Sequence, residues 1–337
     1  MKILITGITG QDGSYLAEQL IAEGHEVSGL VRRTSGIDPL GRLSGVLRGP
    51  RAPTLYRADL TDAGSIRRVL EAVEPDEVYH LGAQSHVGVS FEAPVATLDV
   101  TGIGTLRLLQ AVHAVAPKAK VYNACSSEIF GNTPGPLSEE SAIAPVSPYG
   151  AAKVLSLQIC RQYRDRGMWI ASGILFNHCS PRQAREFLPA KVVSAALAWA
   201  DYRSALSVTP SDLAGRVARP PRLTLGNLDA RRDWGWAPDY TALMPKILRH
   251  GPVELVVGTG RSCSVREFVH NVFAHLDLGN ATRYVAEVPS DRPLEIWDLV
   301  ADTSKMAGVV GLTALPSADT GRLIRQLVDG MRGSVSR

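Results

Sequence analysis

The first thirteen residues constrain the fold more than any other part of the chain. Residues 2–6 (KILIT) predict a short buried strand, three glycines follow, and residues 14–23 carry apolar side chains at helical spacing. A strand, a glycine turn and a helix in this order let backbone N–H groups approach a pyrophosphate at the helix N-terminus. The spacing is Gly-x-x-Gly-x-x-Gly, and a purely structural turn is the alternative interpretation. The predicted cofactor contacts of this turn are Gly7, Thr9, Gly10, Gln11, Asp12 and Gly13.

A second predicted strand, residues 26–31, ends in Arg32 and Arg33. An acidic residue at this position holds the ribose 2′-hydroxyl of NAD, whereas arginine accommodates the 2′-phosphate of NADP. The pair therefore predicts NADP, and a solvated basic loop is the alternative. The ends of other predicted strands add the predicted cofactor contacts Asp59, Leu60, Leu81 and Ala83. Of these, Asp59 is expected to meet the adenine amino group.

Two motifs farther along the chain carry groups suited to oxidation of an alcohol. Tyr149 lies four residues before Lys153, so on a helix both side chains share one face, and the ammonium is expected to lower the pKa of the phenol. Such a tyrosine can take the proton from a sugar hydroxyl while the carbon loses hydride, and Ser126 can donate a hydrogen bond to the same oxygen. Glu128 adds a carboxylate base that plain alcohol oxidation does not need. The alternative is an exposed lysine beside a half-buried tyrosine, which the preceding nucleotide motifs argue against.

Composition excludes several classes of function. At 337 residues and 45% hydrophobic content the chain can bury a large core, in one large domain or two modest ones. A net charge of +3 without a basic run gives no reason to expect nucleic acid, and no apolar run is long enough to span a membrane. The four cysteines are far apart, which predicts a reduced, cytoplasmic protein without a structural metal. Cys125, next to Ser126, is interpreted as a strand residue.

The order of the predicted elements indicates an α/β fold. Strands and helices alternate over the first 175 residues, which predicts a parallel sheet covered on both faces. Residues 202–222, rich in Ala, Ser, Pro and Arg, predict an irregular loop. The predicted helices lie near 63–73, 92–115 and 148–166, and the further strands near 54–57, 78–81, 120–124 and 170–175.

Matches in order from residue 3 to about 306 resemble the GDP-mannose 4,6-dehydratase family of the extended short-chain dehydrogenase/reductases, and eight segments between residues 7 and 269 carry this resemblance. The segments LGAQSHV and GNLDARRDWG are the most specific parts of this resemblance. The full set is GITGQDGSYLAE, GLVRRTS, PDEVYHLGAQSHVGVSFEAP, SSEIFG, SPYGAAK, GILFNHCSPR, LGNLDARRDWG and SVREFV.

The resemblance implies a doubly wound, Rossmann-type parallel sheet with a smaller, discontinuous α/β lobe that binds the substrate. Residues 1–175 plus about 231–261 would form the NADP-binding domain, and about 176–230 plus 262–337 the sugar-nucleotide lobe. It also implies a homodimer through the helices near 92–115 and 148–166, or a homotetramer that uses the loop after Arg33 as well.

The resemblance further implies a set of residues that contact the sugar nucleotide. Arginine suits this role because its fork of donors matches phosphate oxygens. Taken alone, His86 and His178 are better interpreted as structural histidines. The implied contacts are Ser85, His86, Asn177, Lys191, Arg232, Arg292 and Glu295.

The implied activity is dehydration of a nucleotide-diphospho-hexose, with GDP-mannose giving GDP-4-keto-6-deoxymannose. The alternatives are an NADP-dependent reductase or epimerase, and a non-catalytic NADP-binding sensor. Glu128 argues against the reductase, and an intact Tyr149 and Lys153 argue against the sensor, whereas an epimerase also begins with a 4-keto intermediate. The stretch between Lys191 and Gly226 is longer than usual in the family, so the preference for base or sugar can differ.

Overall fold

A seven-stranded, fully parallel sheet forms the centre of the protein, in the strand order β3-β2-β1-β4-β5-β6-β11. The computed structural model describes residues 1–33, 40–209, 213–289, 294–312 and 315–335. The predicted strands and the doubly wound sheet are confirmed. The strands are β1 (Lys2–Thr6), β2 (Glu26–Val31), β3 (Thr54–Arg57), β4 (Glu77–His80), β5 (Lys120–Ser126), β6 (Ile170–Leu175), β7 (His178–Cys179), β8 (Leu223–Leu225), β9 (Arg231–Arg232), β10 (Gly235–Trp236), β11 (Glu254–Val257), β12 (Cys263–Ser264), β13 (Val285–Glu287) and β14 (Asp298–Leu299).

Helices cover both faces of this sheet, as the alternating pattern predicts. In β1, Ile3 and Ile5 pack toward α1 (Gln11–Ala22) and α9 (Ala237–His250). On the other face, Leu4 packs toward α3 (Ala63–Val73), α6 (Gly104–Val115) and α7 (Pro148–Asp165). A π-helical turn (Leu98–Ile103) joins α5 to α6. The helices are α1 (Gln11–Ala22), α2 (Ser44–Leu47), α3 (Ala63–Val73), α4 (Val87–Glu92), α5 (Pro94–Thr97), α6 (Gly104–Val115), α7 (Pro148–Asp165), α8 (Leu188–Val208), α9 (Ala237–His250), α10 (Val265–His275), α11 (Ser304–Val310) and α12 (Thr320–Val335).

A second hydrophobic cluster lies outside the central sheet. It joins α8, α10 and α12 to small strand pairs, with Trp199, Phe268 and Leu327 among its buried members. Met306 and Leu315 pack instead with the cluster beneath the central sheet. The proposed boundaries of the two domains stay a prediction.

The predicted irregular loop at 202–222 is wrong at its beginning, because α8 continues to Val208. Residues 188–208 are rich in alanine and leucine, which favour helix. Tyr202 also packs against the second hydrophobic cluster, so tertiary contact supports the extension. None of the described helices combines the length and apolar character that crossing a bilayer requires.

The loop between β5 and α7 is fastened to the edge of the sheet. Leu137 exchanges backbone hydrogen bonds with residues 300 and 302 and is 0% exposed. The Glu139 carboxylate accepts a hydrogen bond from the N–H of Val256 in the edge strand β11, at 2.7 Å. The backbone of Ala144 bonds to Ile129, so three anchors hold this loop.

Candidate active site

The glycine turn after β1 forms a cradle too tight for side chains. Gly7 has φ +73°, and a Cβ there would lie 2.8 Å from the backbone N of Gly82 in the turn after β4. A Cβ on Gly13 would lie 2.3 Å from the carbonyl oxygen of Gly7. Since α1 begins at Gln11, its first backbone N–H groups lie at this turn. The cradle therefore fits the pyrophosphate of a dinucleotide, at the switch point between β1 and β4.

A buried chain of hydrogen bonds holds the two turns together. The Thr6 hydroxyl oxygen accepts from the N–H groups of Leu81 and Gly82, so its proton is donated to Nδ1 of His80, at 2.8 Å. Nε2 of His80 lies 3.0 Å from the hydroxyl of Thr105. Burial lowers the pKa of His80 to about 3, so the ring is neutral and carries its proton on Nε2. This role of His80 was not predicted from the sequence.

The side chains of Gln11 and Asp12 contact the segment after β6. Asp12 Oδ2 lies 2.9 Å from Nε2 of His178, and Oε1 of Gln11 accepts from the Ser180 hydroxyl at 2.8 Å. Both side chains thus connect the predicted cofactor turn to the chain that leaves the sheet. His178 has a partner that its sequence context did not reveal.

The predicted adenosine end of the site is more exposed. Arg32 and Arg33 are exposed at the end of β2. Asp59 accepts hydrogen bonds from the backbone and hydroxyl of Thr61, at 2.9 and 2.8 Å. Desolvation alone raises the pKa of Asp59, but these bonds and the charges of Arg32 and Arg107 give a net lowering. The carboxylate is therefore ionised and lies within the electrostatic reach of Arg32.

Other predicted contacts differ in surroundings. Leu60 is buried, and its Cδ1 lies 2.9 Å from where a Cβ of Gly82 would be. Ala83 is half-buried and Ser85 exposed. Nδ1 of His86 accepts the N–H of Val89 at 3.1 Å and caps α4, which favours the structural interpretation of this histidine.

Four predicted catalytic side chains come together where β5 meets α7. Ser126 ends β5, Glu128 lies in the 3₁₀ turn that follows, and Tyr149 lies in the first turn of α7. The Ser126 hydroxyl lies close enough to the Tyr149 phenol to lower its pKa. Lys153 lies one turn beyond Tyr149, with Nζ 5.9 Å from the centre of the tyrosine ring. Glu128, Tyr149 and Lys153 are each less than a tenth exposed.

The predicted effect of Lys153 on Tyr149 is wrong for this structure. Burial raises the pKa of Tyr149, the Ser126 hydrogen bond lowers it, and the charge of Glu128 raises it further, with a net rise. The Nζ of Lys153 donates to the carbonyl oxygen of Ala124, at 2.6 Å, and the charge of Lys153 does not outweigh the effects that raise the pKa of Tyr149. Burial lowers the pKa of Lys153 itself.

The predicted substrate residues line the neighbouring segments. The Oδ1 atom of Asn177 is buried, and no described residue donates to it, as expected of a group that awaits a ligand. Arg232 Nη2 lies 3.5 Å from Glu295 Oε1, with both side chains largely buried. Lys191, on α8, donates to the carbonyl oxygen of Thr224 at 3.2 Å. Arg292 lies outside the described residues.

Asp233 is a second residue that the sequence analysis missed. Its carboxylate is 0% exposed and accepts hydrogen bonds from Thr259, Gly260 and Ala301. These bonds fix the strand that carries Arg232. The signal available in the sequence was an acidic residue directly after Arg231 and Arg232. Within the described ranges, no cluster of His, Cys, Asp and Glu is suited to a metal ion.

Comparisons of structure identify the architecture. UDP-glucose 4-epimerase of Thermus thermophilus, solved with NAD, is 26% identical and has a TM-score of 0.81, over 99% of this chain and 100% of that one. The dTDP-glucose 4,6-dehydratase DesIV of Streptomyces venezuelae is 24% identical with a TM-score of 0.83, over 100% and 98%, and supports the fold. The fold is that of NAD(P)-dependent sugar-nucleotide enzymes.

Comparisons of sequence identify the family. The profile of the family described as GDP-mannose 4,6 dehydratase matches residues 4–321. GDP-mannose 4,6 dehydratase 2 of Arabidopsis thaliana is 40% identical over 339 residues, which cover 97% of this chain and 85% of the plant protein. The human GDP-mannose 4,6 dehydratase is 41% identical over 283 residues, 81% of this chain and 72% of its own. With Ser126, Glu128, Tyr149 and Lys153 gathered beside a dinucleotide cradle, this chain belongs to the GDP-mannose 4,6-dehydratase family.

Proposed function

We propose that this protein dehydrates GDP-mannose to GDP-4-keto-6-deoxymannose, as a hydro-lyase with NADP as its cofactor. The observation that carries the proposal is the position of Glu128, a largely buried carboxylate one short turn after Ser126 and close enough to Tyr149 to shift the pKa of its phenol. Oxidation alone needs only the tyrosine and its hydrogen-bond partners. A carboxylate at this place supplies the base for elimination.

The choice of NADP over NAD is part of the proposal. Arg32 and Arg33 follow β2 at the position where a ribose 2′-phosphate is held in this fold. When bound, the cofactor would supply a reversible hydride acceptor for the oxidation at C4 and the reduction at C6. The glycine cradle and Asp59 would hold the pyrophosphate and adenosine parts of this group.

The protein's own residues would then move the protons. Tyr149 takes the proton of the 4-hydroxyl, with the Ser126 hydroxyl orienting the oxygen. The resulting 4-ketone acidifies the C5 hydrogen, and Glu128 removes it. The protonated Glu128 gives that proton to the C6 hydroxyl, which leaves as water. The hydride taken from C4 would return to C6, and C5 would gain one proton, which balances the proton that Tyr149 took from the 4-hydroxyl, so no net oxidation occurs.

The substrate is proposed to lie between these groups and the segments that follow the sheet. Four described residues offer donors and acceptors to a nucleotide diphosphate: Arg232, Asn177, Lys191 and Glu295. Arg292 is proposed from the sequence alone.

We also propose a homodimer. Val89, Val95 and Leu98 are exposed apolar residues of the helical stretch next to α7, the face for which a partner is expected. The further step to a homotetramer depends on the loop after Arg33, which lies outside the described residues.

The test is incubation of the purified protein with GDP-mannose and a catalytic amount of NADP⁺, followed by mass spectrometry. A product lighter by one water, with deuterium transferred from C4 to C6, would establish the dehydratase. A changed retention time at constant mass would indicate an epimerase instead. Unchanged GDP-mannose would overturn the proposal.

A further inference from the structure

Asn132 joins the catalytic loop to the segment that carries Glu295. Its Nδ2 donates to the carbonyl oxygen of Glu295 at 2.8 Å, and its Oδ1 accepts from the backbone N–H of Trp297 at 3.0 Å. One side-chain amide thus pairs with the backbone on both sides of Ile296. Only one orientation of the amide satisfies both bonds, so the geometry is defined.

Arg232 and its neighbour hold the same short segment from the opposite side. Arg232 Nη1 donates to the carbonyl oxygen of Ile296 at 2.9 Å, and Nη2 faces the Glu295 carboxylate. The backbone N–H of Arg231 donates to Trp297 O at 2.7 Å. Residues 295–297 are therefore fixed between β9 and the side chain of Asn132.

The other end of the connection is the catalytic carboxylate. Asn132 lies four residues after Glu128, and Gly131 between them has φ +55°. A Cβ on Gly131 would lie 2.0 Å from the carbonyl oxygen of Ala144, so Gly131 packs directly against the backbone of Ala144 and no side chain fits there. The position of Asn132 is thus set by the same turn that positions Glu128.

We propose that Asn132 is a positioning residue for the sugar nucleotide, which holds Glu295 and Arg232 in the arrangement that binds substrate beside Glu128. The inference rests on the proposed function, because the substrate contacts of Glu295 and Arg232 belong to it. Without the amide, the 295–297 segment must be ordered during binding. Ordering backbone and losing two hydrogen bonds weakens binding by about tenfold or more.

The experiment compares Asn132→Ala, Asn132→Asp and wild type, with saturating NADP⁺ in the kinetic assays and cofactor-free protein in the NADP⁺ titrations. Asn132→Asp keeps the acceptor for the Trp297 N–H but sets a carboxylate against the carbonyl of Glu295. Asn280→Ala is the matched control, because Asn280 is also exposed and its side chain makes a local bond to Thr282 N at 3.0 Å. KM for GDP-mannose, kcat, the Kd of GDP by calorimetry and the Kd of NADP⁺ are measured.

We expect both Asn132 variants to raise KM and the Kd of GDP about tenfold or more, with kcat changed less than about threefold and NADP⁺ affinity unchanged. Asn280→Ala should match wild type. An unchanged KM in an active enzyme would overturn the inference and leave the dehydratase intact. Equal losses in kcat, KM and NADP⁺ affinity would overturn it too, because they indicate general loosening. A wild type without dehydratase activity would overturn the proposed function and the inference together.

Discussion

Asp12 and His178 form an ion pair, with Oδ2 2.9 Å from Nε2, between the cofactor turn and the strand after β6. Nδ1 of the same ring donates to the carbonyl oxygen of Phe176 at 2.7 Å, so both ring nitrogens face acceptors. Burial alone lowers the pKa of His178, but Asp12 and the carbonyl give a net rise. The ring is therefore an imidazolium that connects the two halves of the candidate site.

This ion pair predicts a pH-dependent loss of stability in His178→Gln. The pKa of His178 is raised above its unfolded value of about 6.5, so its contribution is complete below that pH and is lost as the pH rises through the folded pKa. Desolvation alone raises the pKa of Asp12, but the charge and hydrogen bond of His178 give a net lowering. The contribution of Asp12 to the unfolding free energy is therefore lost only in acid. We expect the variant to lose about 2–4 kcal/mol of unfolding free energy at pH 6.

Urea unfolding at pH 6 and pH 9 measures this effect. The difference in unfolding free energy between wild type and His178→Gln should be smaller at pH 9 than at pH 6. His270→Gln, which alters an exposed histidine on α10, should show no such trend. A difference of equal size at both pH values would contradict the charged state assigned to His178.

Glu128→Gln should separate the two halves of the reaction. The amide cannot take the C5 proton, so elimination should fall by about 10²-fold or more while reduced cofactor still forms from substrate. Absorbance of NADPH during a single turnover and mass analysis of the sugar nucleotide measure the two steps. Glu140→Gln, at an exposed glutamate of the next loop, is the control. Equal loss of both steps would contradict the assignment of Glu128 as the elimination base.

The raised pKa of Tyr149 predicts that oxidation accelerates in alkali. Below the pKa of the phenol, the phenolate fraction rises about tenfold per pH unit, so NADPH formation should increase from neutral pH upward. Tyr149→Phe should lose about 10²–10⁴-fold in this step and the pH trend with it. Tyr163→Phe, at another buried tyrosine of α7, should retain the rate of NADPH formation and its pH dependence. A flat pH profile in wild type would refute the role of the phenol as the titrating base.

Gly13→Ala should weaken cofactor binding. The added methyl would lie 2.3 Å from the carbonyl oxygen of Gly7, a backbone atom, so the turn must open. We expect the Kd of NADP⁺ to rise by about 100-fold or more, measured by calorimetry. Gly308→Ala is the matched control, because a Cβ there meets no described atom within 4 Å. Unchanged affinity in Gly13→Ala would show that the cofactor does not use this cradle.

Arg32→Ala should change the preference between the two nicotinamide cofactors. A charge-assisted hydrogen bond contributes about 1.5–3 kcal/mol, so the Kd of NADP⁺ should rise by about 10–100-fold while that of NAD⁺ stays constant. Titrations with both cofactors measure the ratio, and Arg51→Ala, at another exposed arginine, is the control. Equal changes in the Kd of NADP⁺ and of NAD⁺ would show that Arg32 does not bind the 2′-phosphate.

Most of the fold was predictable because its signals are local. Apolar runs such as residues 2–6 identify strands buried on both faces, and the spacing of Tyr149 and Lys153 requires only that α7 be a helix. The predicted loop at 202–222 was wrong because composition does not report tertiary contact, which Tyr202 makes with the second hydrophobic cluster.

The parts of the site that escaped prediction depend on pairs far apart in the chain. Asp12 and His178 are separated by 166 residues, and Asn132 and Glu295 by 163. The direction of the pKa shift of Tyr149 also escaped prediction, because the sequence shows that Lys153 is near but not that burial and the charge of Glu128 raise this pKa. Such relations need the folded chain.

The three anchors on the loop between β5 and α7 have a consequence for the energy of binding. Leu137, Glu139 and Ala144 are fixed by contacts within the protein, so this stretch gives up its conformational entropy when the chain folds. Glu128 and Tyr149, at its two ends, need little further ordering when substrate arrives. More of the interaction energy with the sugar nucleotide then remains for affinity and for the reaction.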